Sequence, residues 1–163
     1  MRTLSENLLI RTRGSLMTLA ACLLTLVASA APARAQTSTF IALLNGGQET
    51  PPDPSKAFGV AFVTFSMDTG ELCYSISFSD STLTSNEIAA HFHASAPPGQ
   101  AAGVRIPLPL GNPKNGCVTP DPPLTDAEVS DLFAGLWYVN VHTMNFGGGE
   151  IRGQVIAQSN PIF

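Results

Sequence analysis

From residue 39 onward, apolar and polar positions alternate along much of the chain with a period of two. The stretch ELCYSISFSD shows it most cleanly: Leu72, Tyr74, Ile76 and Phe78 fall on one side, Cys73, Ser75, Ser77 and Ser79 on the other. Side chains of a β-strand point alternately to opposite faces, so this pattern predicts a half-buried strand. TFIALLNG (39–46) predicts a strand before it. AFGVAFVTFSM (57–67), rich in Val and Phe, predicts a second, joined to the third by the tight turn Asp68-Thr69-Gly70. EIAAHFHAS (87–95), LWYVNVHT (136–143) and EIRGQVIAQ (150–158) read as further strands. AAGVRIPLPL (101–110) carries Pro107 and Pro109 two positions apart. Their missing N–H donors point the same way, which suits an edge strand.

One segment breaks the period. In LTDAEVSDLFAGL (124–136), Val129, Leu132, Phe133 and Leu136 form an apolar stripe at helical spacing. Thr125 and Glu128 have capping-box spacing, and Gly135 supplies a stop. The proline-bearing GGQETPPDPSK (46–56) and the turn-rich GNPKNGCVTPDPP (111–123) read as loops. Short strands at this spacing with turn signals predict an all-β fold, a Greek-key sandwich or barrel with one short helix.

The N-terminal 35 residues have a different character. Arg2, Arg11 and Arg13 precede the apolar run Ser15–Ala30, and Ala33-Arg34-Ala35 has the small-x-small form of a cleavage site. These are the parts of a secretory signal peptide, and the run is shorter than the roughly 20 residues that span a bilayer. The expected division is a signal peptide over 1–35 and one domain over 36–163, secreted or periplasmic, with no transmembrane segment after cleavage. Leu19-Ala20-Ala21-Cys22 resembles a lipobox, so lipidation at Cys22 is the less favoured route. Cleavage changes the charge. Lys56, Arg105, Lys114 and Arg152 then stand against eleven acids, a net charge of −7. A domain so acidic does not hold a phosphate backbone, which argues against nucleic acid as a partner. Cys73 and Cys117 remain, and export makes a disulfide between them the default.

The chain has three histidines, all on predicted strands. His91 and His93 share a face of 87–95, with Ile88, Ala90, Phe92 and Ala94 expected on the core side. His142 shares a face with Tyr138 and Asn140, opposite Trp137, Val139 and Val141. Imidazole is a common ligand for copper and zinc, and His-x-His on a strand presents two nitrogens to one ion. The alternative is three polar side chains on solvated sheet faces. Met144 follows His142 by two and is a candidate axial thioether, or loop packing. Glu150 and Arg152 share a face of the last strand with Gln154, either as a surface ion pair or as a guide for an anion.

LNGGQETPP, GELCYSISF, IAAHFHASAPPG and LWYVNVHTMNFGGGEIRGQV together resemble a CHRD (chordin-type) domain over roughly residues 39–158. That resemblance implies an exported or extracellular protein without specifying a reaction. More distantly, the order of an HxH strand, a later VxVH strand, a Gly-rich turn and a last strand ending GQVIAQ is similar to the copper/zinc superoxide dismutase barrel. This likeness implies copper on His91, His93 and His142, and a superoxide dismutase-like alternative to an immunoglobulin-like sandwich. No histidine remains for a bridging or zinc-binding role, and Arg152 stands out of register with that family's guiding arginine.

The first expectation is therefore an exported domain holding one copper ion, with zinc as the alternative metal. Tyr138, Asn140, Met144, Glu150 and Arg152 would surround the ligands. A module of the cell envelope that binds another protein without metal is the second. A copper-only dismutase is the third.

Overall fold

The structure, a computed structural model, describes residues 36–158; the signal-peptide and Cys22 expectations lie outside them. Strands β1 (Thr37–Asn45), β2 (Phe58–Ser66) and β3 (Leu72–Phe78) form an antiparallel meander. Their alternation works as read: Phe40, Ala42 and Leu44, then Ala61, Val63 and Phe65, then Leu72, Ile76 and Phe78 are buried. Gly70, at φ +68°, closes the β2–β3 turn, its N–H donating to the Ser66 carbonyl at 2.8 Å. A left-handed residue there favours glycine.

After β3 the chain crosses to build β4 (Glu87–His93) and β5 (Val104–Leu108), then returns to lay β6 (Lys114–Val118) beside β3. Helix α1 (Asp126–Phe133) follows, with both capping-box hydrogen bonds formed and Gly135 at φ +73° past its end. Strands β7 (Tyr138–Thr143), β8 (Ile151–Gln154) and β9 (Ile156–Ala157) complete the sheet in the order β5-β4-β7-β8-β1-β2-β3-β6, with β9 also on β1. The described pairings are antiparallel.

This sheet curls into a nearly closed barrel. Tyr74 on β3 and Phe92 on β4 lie five places apart in strand order, yet their rings meet edge-on with centroids 6.0 Å apart. One apolar cluster fills the inside, including Phe40, Ile76, Phe92, Val139 and Ile151, and α1 adds Leu132. Each fully buried Leu, Ile or Phe stabilises by roughly 1.5–3 kcal/mol. Trp137 anchors the helix to the barrel by donating from Nε1 to the Glu128 carbonyl at 3.0 Å.

Three expectations need correction. The segment 111–123 is not all loop, because it contains β6, whose Cys117 pairs in register with Cys73 of β3 and is disulfide-bonded to it. Ile88 is 48% exposed rather than in the core, since the β4–β7 register slips between Glu87 and Ala89. The last strand breaks at Val155 into β8 and β9. Pro107 does lie on an edge strand, β5. No helix among the described residues is long and apolar enough to cross a membrane.

Candidate metal centre

Strands β4 and β7 are neighbours, with His91 opposite Asn140, His93 opposite Tyr138 and Ala89 opposite His142. Residues directly opposite on antiparallel strands have Cβ atoms about 4.5–5.5 Å apart, so this register gathers the three histidines on one face. Strand β8 extends the same rows, placing Arg152 opposite Asn140 and Gln154 opposite Tyr138.

Most of that face is withdrawn from solvent, contrary to the polar-surface alternative, with His91 half-buried at its edge. His93 is 6% and His142 8% exposed, and Tyr138, Asn140, Glu150, Arg152 and Gln154 are buried too. Loops cover it. The 46–57 loop brings Glu49, Thr50 and Ser55; the 96–103 loop presents the carbonyls of Pro97, Gln100 and Ala102; the turn after β7 presents that of Gly147.

One ring nitrogen from each histidine falls within 4.8 Å of the others. Partners fix which nitrogens are available. His93 Nδ1 lies 3.0 Å from the Ala102 carbonyl and His142 Nδ1 3.0 Å from the Gly147 carbonyl. A carbonyl only accepts, so each Nδ1 carries the proton and each Nε2 keeps its lone pair. Hydrogen bonding of the far nitrogen to a carbonyl is the usual support for a metal-bound imidazole. His142 Nε2 faces His91 Nδ1 at 3.2 Å. Ligands bonded at about 2.0–2.1 Å to one ion in a tetrahedron are separated by roughly 3.3 Å, so this separation fits a shared ion.

Electrostatics favour the neutral, ligating form. All three imidazoles have lowered pKa values, chiefly because burial penalises the cation, and for His91 and His142 also because a neighbouring imidazole does. Tyr138 stacks on His93, with centroids 4.5 Å apart and planes 3° from parallel, and the Arg152 guanidinium covers its other face at 3.5 Å.

The remaining candidates divide. Asn140 touches both buried histidines. Arg152 is 2% exposed and committed to Thr50, Gln100, Pro97 and Gln154. Glu150 is fully buried and binds Ser55, Thr84 and Thr143. The two therefore form no surface ion pair with each other; each pins a covering loop. Met144 sits 71% exposed on the turn after β7. Glu71, Cys73 and Cys117 also converge, but both sulfurs are used in the disulfide.

One residue of the site escaped the sequence reading. Glu49 is buried beside Asn140, and burial, opposed chiefly by Arg152, pushes its pKa up to about 7. It lies in a Gly- and Pro-rich loop without periodicity, where only its place in the LNGGQETPP motif marked it.

A CHRD domain family model matches residues 40–155, well over half of the chain. The chain belongs to the CHRD domain family. The match runs from β1 to the end of β8, so the whole histidine site lies inside the CHRD domain. No curated protein and no solved structure matches, and the likeness to the superoxide dismutase barrel gains no support from them.

Proposed function

We propose that this CHRD domain is exported and binds a single copper ion through His91, His93 and His142, in copper handling or a simple redox role. The observation that carries this reading is the pair of buried imidazoles whose Nδ1 protons are held by the Ala102 and Gly147 carbonyls, leaving both Nε2 lone pairs free, with a ring nitrogen of each of the three histidines within 4.8 Å of the others. Zinc suits the same nitrogens. The disulfide fits an oxidising compartment outside the cytosol, and cleavage near Ala35 would release the domain. When bound, copper would supply a Lewis-acid or one-electron centre; the chain's own part is to hold three neutral imidazoles and exclude water. Calorimetric titration of the domain with Cu(II) and Cu(I) tests the reading. One equivalent is expected, lost in the His91→Ala, His93→Ala double variant. Undiminished binding by that variant would sink it.

A protein-binding module of the envelope is the second reading, favoured by the exposed apolar side chains of Leu43, Phe58 and Phe62 on the outer face of β1 and β2. A specific partner retained in chelator and by histidine variants would support it. Dismutation requires an anion to reach the metal, and Arg152, committed to the covering loops, gives it no guidance.

A further inference from the structure

Asn140 stands where a fourth ligand would. Its Oδ1 lies 3.0 Å from His93 Nε2 and 3.0 Å from His142 Nε2. Those distances resemble the 3.2 Å between His91 Nδ1 and His142 Nε2, and all three are close to the roughly 3.3 Å edges of a tetrahedron around one ion. As a hydrogen-bond arrangement the contacts do not work. Both Nε2 atoms carry lone pairs, since their Nδ1 protons are engaged by carbonyls, and an amide oxygen only accepts.

The amide is held this way round by its other edge. Asn140 turns its Nδ2 toward the Glu49 side. Its Nδ2 and Glu49 Oε1 both press on Gly149, where an added Cβ would come within 2.7 Å and 2.4 Å of them. Glu49 Oε1 is itself buried without a hydrogen-bond partner. The amide N–H2 therefore faces the carboxylate, and the oxygen faces the histidines. Three acceptors, Nε2 of His93, Nε2 of His142 and Oδ1 of Asn140, converge; His91 Nδ1 is placed to donate to His142 Nε2, but no donor satisfies Nε2 of His93, and a cation removes the conflict.

The geometry points to Asn140 Oδ1 as a fourth ligand, oriented by Glu49, which makes the centre a closed N3O set selective for a divalent ion. This rests on the three-histidine reading. An amide oxygen is a hard donor, suited to Cu(II) or Zn(II) rather than to Cu(I). That separates ligation from simple support, because a residue that merely orients the histidines would serve both copper states alike.

The experiment compares wild type, Asn140→Ala, Asn140→Asp and His142→Ala in the full domain, measuring affinity for Cu(II) and for Cu(I) by competition, with the Cu(II) EPR spectrum of each. Asn140→Ala is expected to weaken Cu(II) binding about tenfold or more, to leave Cu(I) binding within about threefold, and to change the EPR spectrum. Asn140→Asp, of the same shape and with an anionic oxygen, is expected to bind Cu(II) more tightly than Asn140→Ala by at least that factor. It also keeps the proposal testable if the alanine variant fails to fold. An unchanged EPR spectrum in Asn140→Ala, equal losses for both copper states, or an aspartate variant no better than alanine would overturn it. If His142→Ala alone abolishes binding while the Asn140 variants match wild type, only the fourth ligand falls. If wild type takes up no copper, the three-histidine reading falls first.

Discussion

Glu87 and His91 stand four residues apart on β4, each within a polar cluster that the barrel buries. In the first, Lys114 Nζ has three N–H donors and three acceptors: the Glu87 carboxylate and the carbonyls of Pro109 and Gly111, both at 2.8 Å. Its side chain is wholly buried, with the Phe78 ring 5.6 Å away. In the second, lone pairs of His93, His142 and Asn140 face one another. The first cluster is satisfied from within and ties β6 and the 109–111 turn to β4. The second is not satisfied by what surrounds it. Burial of polar groups is common to both, so burial alone does not mark a functional site. What distinguishes the histidine cluster is acceptors left facing each other, a cost the protein bears unless something cationic enters.

The strongest way to break this contrast is to unbalance the lysine cluster. Lys114→Ala leaves the Glu87 carboxylate without its partner at a buried seam and is expected to destabilise by roughly 3–5 kcal/mol, read from urea unfolding, while leaving metal affinity of the folded protein unchanged. A loss of copper binding without unfolding would show that the clusters are not separate. Removing the disulfide by Cys73→Ala, Cys117→Ala acts on the other side of β6, taking away its covalent tie to β3 while their backbone pairing remains. The expected cost is about 2–4 kcal/mol, again without effect on the metal.

At the histidines the sign reverses, because an added ion is expected to stabilise where a removed partner destabilises. Cu(II) at a hundred times its Kd is expected to stabilise wild type by about 2.7 kcal/mol, and the His93→Ala variant hardly at all. Thermal melts with and without the ion check it. Equal shifts in both proteins would place binding elsewhere.

The smallest effect is pH-dependent and belongs to the metal-free protein. Burial lowers the folded pKa values of His93 and His142. On acidification the unfolded chain takes up protons first, below about 6.5, so their contribution is complete above that pH and declines as pH falls through the folded values. Glu49 behaves oppositely. Its folded pKa of about 7 exceeds the ordinary 4.5, so its contribution is complete below 4.5 and is lost as pH rises toward 7. Each group's slope is at most about 1.4 kcal/mol per pH unit, and the two partly cancel between 4.5 and 6.5. Glu49→Gln is expected to raise stability at pH 8 and to steepen the acid decline, by denaturant unfolding across pH 4–8. An unchanged profile would remove Glu49 from the balance.

Much of the barrel was legible because alternation is a backbone property. Leu72, Ile76 and Phe78 face inward as the period requires, and the Thr125–Glu128 cap formed as spaced. The shared face of His91, His93 and His142 was legible for the same reason. That β4 lies beside β7 rested on resemblance alone, since register is tertiary. Strand β6 was hidden because KNGCV has weak strand formers between proline-rich flanks, and pairing with β3 outweighs propensity. The burial of Lys114, Arg152 and Glu150 was hidden because charged residues default to the surface, and only the covering loops reverse that. The same loops turned the histidine face from a solvated one into an interior.

Tyr138 lies between His93 and the Arg152 guanidinium, its ring parallel to the imidazole. The protein thus carries its own optical gauge of what happens at the histidines. A paramagnetic ion held by His93 sits one stacked ring from a natural fluorophore and quenches it, while diamagnetic zinc does not. Filling by Cu(II) would be followed in the unlabelled chain by the dimming of emission from Tyr138 and its neighbour Trp137.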